Sequence, residues 1–178
     1  MHIIIDGYNL IRQSDSLRRF ERISLERGRG ELIRRLAGYR KARSHKMTVV
    51  FDGWMAGSPE EERLREDGVH IVYSRRGETA DEVIKRMART ERGSEIIVVS
   101  SDREVADAVM KAGGVTISSP EFEERMGEEE AKGTPCGDEP PEEDEDDDII
   151  PKSGTGKKGT ARRKSKRQRQ AQRRLNKL

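Results

Sequence analysis

The sequence predicts an α/β fold, a doubly wound three-layer sandwich around a mostly parallel sheet of about five strands. Three observations predict it. Short apolar runs rich in β-branched residues recur at 3–5, 47–51, 69–73, 96–99 and 115–117. Helical patterns separate them at the spacing of βαβ units. The run Ile96-Ile97-Val98-Val99 is apolar throughout, as in parallel strands covered on both faces. Right-handed crossovers then follow.

The first strand is His2-Ile3-Ile4-Ile5, ending at Asp6-Gly7-Tyr8-Asn9. A carboxylate at the tip of a buried strand stands where an open sheet keeps its ligand crevice. Asn9 is placed to bring an amide near that carboxylate, and an Asx-type turn is the plainer reading. Residues 11–23 read as a loop or short helix. Ser24 caps a helix running to about Arg43, with Leu32, Ile33, Leu36 and Tyr39 on its apolar stripe. Its arginine-rich face is either solvated or phosphate-facing. Met47–Phe51 is the second strand and leads into Asp52-Gly53. Ser58-Pro59-Glu60-Glu61 then has the form of a helix start, for a short helix ending near Gly68.

Val69–Tyr73 is the third strand, followed by the basic loop Ser74-Arg75-Arg76-Gly77. Glu78-Thr79-Ala80-Asp81-Glu82 opens a helix whose core face carries Val83, Ile84, Met87 and Ala88. The fourth strand, 96–99, runs into Ser100-Ser101-Asp102-Arg103-Glu104 and another helix. Gly113-Gly114 stops that helix before the fifth strand, 115–117. A last helix begins at Ser118-Ser119-Pro120 and is expected to fade by Gly127.

Charge is segregated along the chain. The formal net is about +3 over residues 1–120, about −13 over 121–150 and about +12 over 151–178. The expected organisation is a folded domain over 1–126, a disordered acidic linker over 127–150 and a basic tail over 151–178. The tail is expected to bind RNA through Arg162, Arg163 and Lys164, becoming helical against it. Cys136 is the only cysteine, which suits a reducing compartment. No apolar run approaches a membrane span or a secretory leader, so a soluble cytoplasmic protein without membrane partners is expected.

Glycine-rich phosphate loops, dinucleotide fingerprints and nucleophile elbows are absent. The three histidines are dispersed. What remains is a set of acids at the carboxyl edge of the sheet: Asp6, Asp52, Asp81 with Glu82, and Asp102. Thr79 with Glu82, and Ser101 with Glu104, also match capping boxes, in which Asp81 and Asp102 are ordinary first-turn acids. In the common strand order 3-2-1-4-5, however, Asp6 and Asp102 face each other across the switch point and Asp81 reaches in from the helix after strand three. Gathered carboxylates repel unless a cation neutralises them, and an oxygen-only set suits Mg²⁺ or Mn²⁺. Such an ion polarises phosphate and activates water, the apparatus of phosphodiester hydrolysis. A phosphatase with an aspartate nucleophile wants a second aspartate two residues on, where Tyr8 stands.

The strings Ile5-Asp6-Gly7-Tyr8-Asn9, Phe51-Asp52-Gly53, Glu78-Thr79-Ala80-Asp81-Glu82 and Ser100-Ser101-Asp102, in this order, resemble the NYN domain of the PIN-like nucleases, and within it the bacterial YacP-like endoribonucleases. The likeness covers about residues 1–125. It implies a metal-dependent nuclease of single-stranded RNA, with some relatives associated with ribosomes. It implies metal binding by Asp6, Asp81 and Asp102, with Asn9 and Glu82 among the catalytic residues and Asp52 and Glu78 accompanying them. Arg12, Arg75 and Arg76 are the expected phosphate holders. The chain departs from the family at its end, where a helical extension is expected and an acidic run and basic tail stand instead. The alternative function is an RNA- or ribosome-binding module that keeps the fold without the chemistry.

Overall fold

The computed structural model describes residues 1–53, 59–91, 95–133 and 166–178. Arg162, Arg163, Lys164, Cys136 and most of the acidic run lie outside them. In chain order the elements are β1 (His2–Asp6), α1 (Gly7–Gln13), α2 (Asp15–Glu21), α3 (Leu25–Arg43), β2 (Lys46–Phe51), β3 (Glu62–Glu66), β4 (Val69–Tyr73), α4 (Ala80–Thr90), β5 (Ile96–Val99), α5 (Arg103–Lys111), β6 (Val115–Ile117), α6 (Ser119–Gly133) and α7 (Lys166–Leu175).

The sheet has six strands in the order β3-β4-β2-β1-β5-β6. Five are parallel, and β3 runs antiparallel on the β4 edge. The five expected strands therefore take the expected order, with an edge strand added. That strand replaces the helix expected after Ser58. Asp67 and Gly68 both adopt positive φ, 47° and 83°. This is the two-residue Asp-Gly turn whose twist suits a hairpin, and it outweighs the helix-start pattern by offering β4 a hydrogen-bonding partner. All five β3 residues are exposed, as befits a charged sheet edge.

Strand alternation divides the core. Ile3, Ile5, Met47, Val49, Phe51, Ile97 and Val99 face α1, α3 and α6. Ile4, Val50, Val72, Ile96 and Val98 face α4 and α5, meeting Val83, Ile84, Val105 and Val109. The loop or short helix expected at 11–23 is two short helices, because Ser14 closes α1 and accepts from Leu17 N to start α2. Ser24 caps α3 as its position suggests, accepting from Arg27 N. Helix α6 outlasts Gly127 and reaches Gly133, with Phe122 and Met126 buried against α3.

The last residues of the basic C-terminus, from 166 on, belong to the folded body. Ala171 and Leu175 pack on the first core and Leu178 is buried within it. Tyr39 Oη donates to the Leu178 carbonyl, Arg174 donates to Gly113 O at 3.0 Å, and Lys177 pairs with Glu95 at 3.2 Å. Three apolar side chains at helical spacing sufficed to dock a segment whose composition alone reads as disordered. Leu178→Ala is expected to cost about 2 kcal/mol, seen as a lower urea midpoint and faster proteolysis near α7.

His2 adds a pH dependence. Its ring is buried between Glu91 Oε2 at 2.6 Å from Nδ1 and Thr48 Oγ1 at 2.8 Å from Nε2. Burial lowers its pKa, and the Glu91 hydrogen bond and charge only partly oppose this. The unfolded chain thus takes up the proton more readily, so stability falls as pH drops below about 6.5. His2→Gln is expected to flatten the loss of urea midpoint between pH 8 and pH 5 relative to wild type.

Candidate active site

The parallel strands all end on one edge, and β1 lies between β2 and β5. The chain leaves β1 for α1–α3 on one face of the sheet, while α4 joins β4 to β5 on the other. The crevice of this switch point opens beside Asp6. Asp6 is 7% exposed. Its Oδ1 accepts from Asn9 N at 3.1 Å and its Oδ2 from Ser100 Oγ at 3.3 Å. Burial raises its pKa to about 6, and the charges of Asp81 and Asp52 push the same way against the two hydrogen bonds.

Asp102 stands one serine away. Ser100 Oγ, which donates to Asp6, accepts from Asp102 N at 3.1 Å. Asp102 Oδ1 caps α5, accepting from Glu104 N at 2.7 Å and Val105 N at 3.0 Å. The cap is therefore Asp102 and not Ser101, whose hydroxyl instead donates to Gln13 Oε1 at 2.7 Å. Asp81 occupies the first turn of α4. Its pKa is raised by burial and then by Asp102, with Lys85 opposing. Asp52 Oδ1 accepts from Ala80 N at 2.7 Å, tying the tip of β2 to the start of α4. Four acids from four chain segments thus share one electrostatic neighbourhood.

The other expected site residues have clear places. The Asn9 side chain turns away from Asp6, and only its backbone N–H meets the carboxylate. Its Oδ1 accepts from Gln13 Nε2, Ser101 N and Ser119 Oγ at 2.9, 3.1 and 2.8 Å, fastening α1 to the loop that carries Asp102 and to α6. Glu82 is engaged in its capping box, with Oε2 accepting from Thr79 N at 3.1 Å. Arg75 pairs with Glu78 at 3.1 Å. With Arg76, Glu82, Lys85 and Arg86 these two line an open groove of about 960 Å³ beside the first turn of α4. Arg12 lies over the Tyr8 ring on the opposite side of the sheet. Ser100 was not anticipated; the serine pair after the fourth strand was its only sequence signal.

The donor set fits a hard divalent cation in its chemistry. All four groups are carboxylates, and their mutual repulsion is what a cation relieves. Among the described residues no three of Asp, Glu, His and Cys stand close enough to hold an ion unaided.

A three-layer α/β domain with acids at the β1 switch point is the architecture of a PIN-like, nuclease-type domain. The chain belongs to the YacP-like NYN domain family, whose profile matches residues 3–176. That span includes α7, so the family likeness runs past residue 125 to the docked C-terminal helix. The chain is 28% identical over 122 residues to the protein YacP of Bacillus subtilis strain 168, covering 67% of this chain and 71% of that one. It also resembles the crystal structure of Rae1 (YacP) from Bacillus subtilis, with a TM-score of 0.63 and 26% identity over 74% of this chain and 76% of that one. A point mutant of Rae1 gives 0.64 and 25% over 74% and 77%. No helix among the described residues is long and apolar enough to cross a membrane.

Proposed function

We propose that the protein is a metal-dependent endoribonuclease that hydrolyses phosphodiester bonds of single-stranded RNA. The observation that carries this reading is the buried Asp6 carboxyl at the switch point, joined through Ser100 to Asp102 and raised to about 6 by burial with Asp81 and Asp52 as charged neighbours. A fold does not keep so costly a group without compensation, and perturbed acids in a crevice mark functional sites. Asp6 and Asp102 would hold Mg²⁺ or Mn²⁺, with Asp81 completing the site or orienting the attacking water. When bound, such an ion polarises the phosphate and lowers the pKa of water. Arg75 and Arg76 hold neighbouring phosphates, and the expected products carry a 5′-phosphate and a 3′-hydroxyl. Asn9 positions the Asp102 loop, and Glu82 acts through the start of α4.

The basic C-terminal region supplies sequence-blind affinity for RNA, including RNA on ribosomes in the cytoplasm. A second reading, a binding module without cleavage, is favoured by the lack of a three-acid cage among the described residues. Incubating the protein with labelled RNA and with translating ribosomes, with Mn²⁺ or EDTA, separates the two. Cleavage that stops in EDTA is expected. Binding without cleavage in Mn²⁺ selects the second reading.

A further inference from the structure

On the α1 side of the acid crevice three aromatic rings form a ladder across the tips of β1, β2 and β4. Tyr8 meets Phe51 edge-on at 5.1 Å between centroids, and Phe51 stacks on Tyr73 at 5.7 Å. A guanidinium covers each end: Arg12 lies 5.4 Å from the Tyr8 centroid and Arg29 lies 5.5 Å from that of Tyr73. Stacking occupies the face of a guanidinium and leaves its N–H edge for hydrogen bonds; Arg29 already engages the Tyr73 hydroxyl, while Arg12 keeps its edge for an anion. The Arg12 side chain is 67% exposed, and its ion pair with Glu21 is long at 3.6 Å.

The Tyr8 hydroxyl is the second, independent observation. Tyr8 is 7% exposed, and its Oη has no hydrogen-bond partner among the described residues. A buried hydroxyl without a partner is costly, and such groups in a native fold call for an explanation. Arg29, Arg12 and Asp52 are its charged neighbours. Asp52 also acts on Asp6 in the acid crevice, so the orphan donor is linked through Asp52 to the proposed site of cleavage.

We propose that Arg12, Arg29 and the Tyr8 hydroxyl form a subsite that clamps one phosphate of single-stranded RNA next to the acid crevice. The hydroxyl has almost no exposed surface in the RNA-free protein, so it donates to a phosphate oxygen once the exposed Arg12 side chain lifts from the Tyr8 ring, and the guanidiniums supply charge and donors. The subsite rests on RNA being the substrate. Of its three groups, only Arg12 carries an expectation from the sequence.

The test is fluorescence anisotropy of a labelled oligouridylate with the full chain in EDTA, across a salt series. Arg12→Ala and Arg29→Ala are each expected to weaken binding about 10-fold and to flatten the log–log salt slope by about 0.7, the value for one lost phosphate contact on a single strand. Tyr8→Phe is expected to weaken binding several-fold without changing the slope, while raising the melting temperature of the RNA-free protein. A hydroxyl with a merely structural role predicts the reverse change in melting temperature. Arg19→Ala, an exposed arginine on α2, should bind within about twofold of wild type. Variants that bind as wild type does, with an unchanged slope, overturn the subsite and leave the cleavage assay to judge the acids alone. Wild-type protein that binds no RNA at low salt overturns both.

Discussion

Replacing Asp6 with asparagine is expected to abolish RNA cleavage while making the protein more stable in EDTA. Asp6 sits at the tip of β1, 7% exposed, with Asp81 and Asp52 as charged neighbours. Its pKa in the fold, about 6, exceeds the ordinary 3.8. The fold therefore holds the proton more tightly than the unfolded chain does. Ionisation costs stability as pH rises above 3.8, and the full cost is present above about 6. Roughly two pKa units correspond to about 3 kcal/mol at neutral pH. Asparagine keeps the volume and one acceptor for Asn9 N without the charge.

The variant should therefore melt several degrees higher than wild type in EDTA at pH 7.5 and show little difference at pH 4. Adding Mn²⁺ should raise the melting temperature of wild type and leave the variant unmoved, since only a state-selective ligand stabilises. Cleavage should fall by at least about 100-fold. A variant that cleaves normally removes Asp6 from the mechanism. A variant that cleaves nothing yet melts below wild type shows that the carboxylate is a structural group.

Gly53→Ala is expected to be the most disruptive small substitution near the site. A Cβ on Gly53 would stand 1.7 Å from the Ser74 carbonyl oxygen. The two residues are already laced together. Gly53 N donates to Ser74 Oγ at 2.9 Å, and Ser74 N donates to Phe51 O at 3.0 Å. Backbone must therefore move, and the tips of β2 and β4 must part. The expected cost is about 3 kcal/mol or more, a drop in melting temperature near 10 °C. Asp52 lies between these contacts and holds Ala80 N, so the start of α4 and Asp81 move with it. Cleavage should then fall further than the loss of folded protein explains. Gly30→Ala and Gly38→Ala in α3 meet nothing within 4 Å and serve as controls. They should be neutral or stabilising by up to about 1 kcal/mol. A Gly53→Ala protein as stable as these controls contradicts the packing described for the β2–β4 tips.

Much of this architecture is legible along the chain because its causes are local. Ile3-Ile4-Ile5 and Ile96–Val99 can only be buried strands, and Asp6 and Asp102 then come to one sheet edge by topology alone. Ser24 and Thr79 announce their helices because a cap bonds within four residues of itself. Where two local signals compete, the sequence offers no ranking. Pro59-Glu60-Glu61 suggests a helix and Asp67-Gly68 a hairpin, and the unpaired edge of β4 decided for the hairpin.

Partner choice for polar groups was settled only in three dimensions. The donors to Asn9 Oδ1 lie 4, 92 and 110 positions away, so no reading of neighbours finds them. Ser100 joins Asp6 to Asp102 only because β5 pairs with β1. The docking of α7 and the residues after it depends on contacts with β6 and with Tyr39 of α3 that the composition of a basic tail does not reveal. Acid type and strand order were thus written in the chain. How the acids are buried, coupled and braced was decided by packing, because desolvation and charge coupling depend on what the fold brings near from far along the sequence.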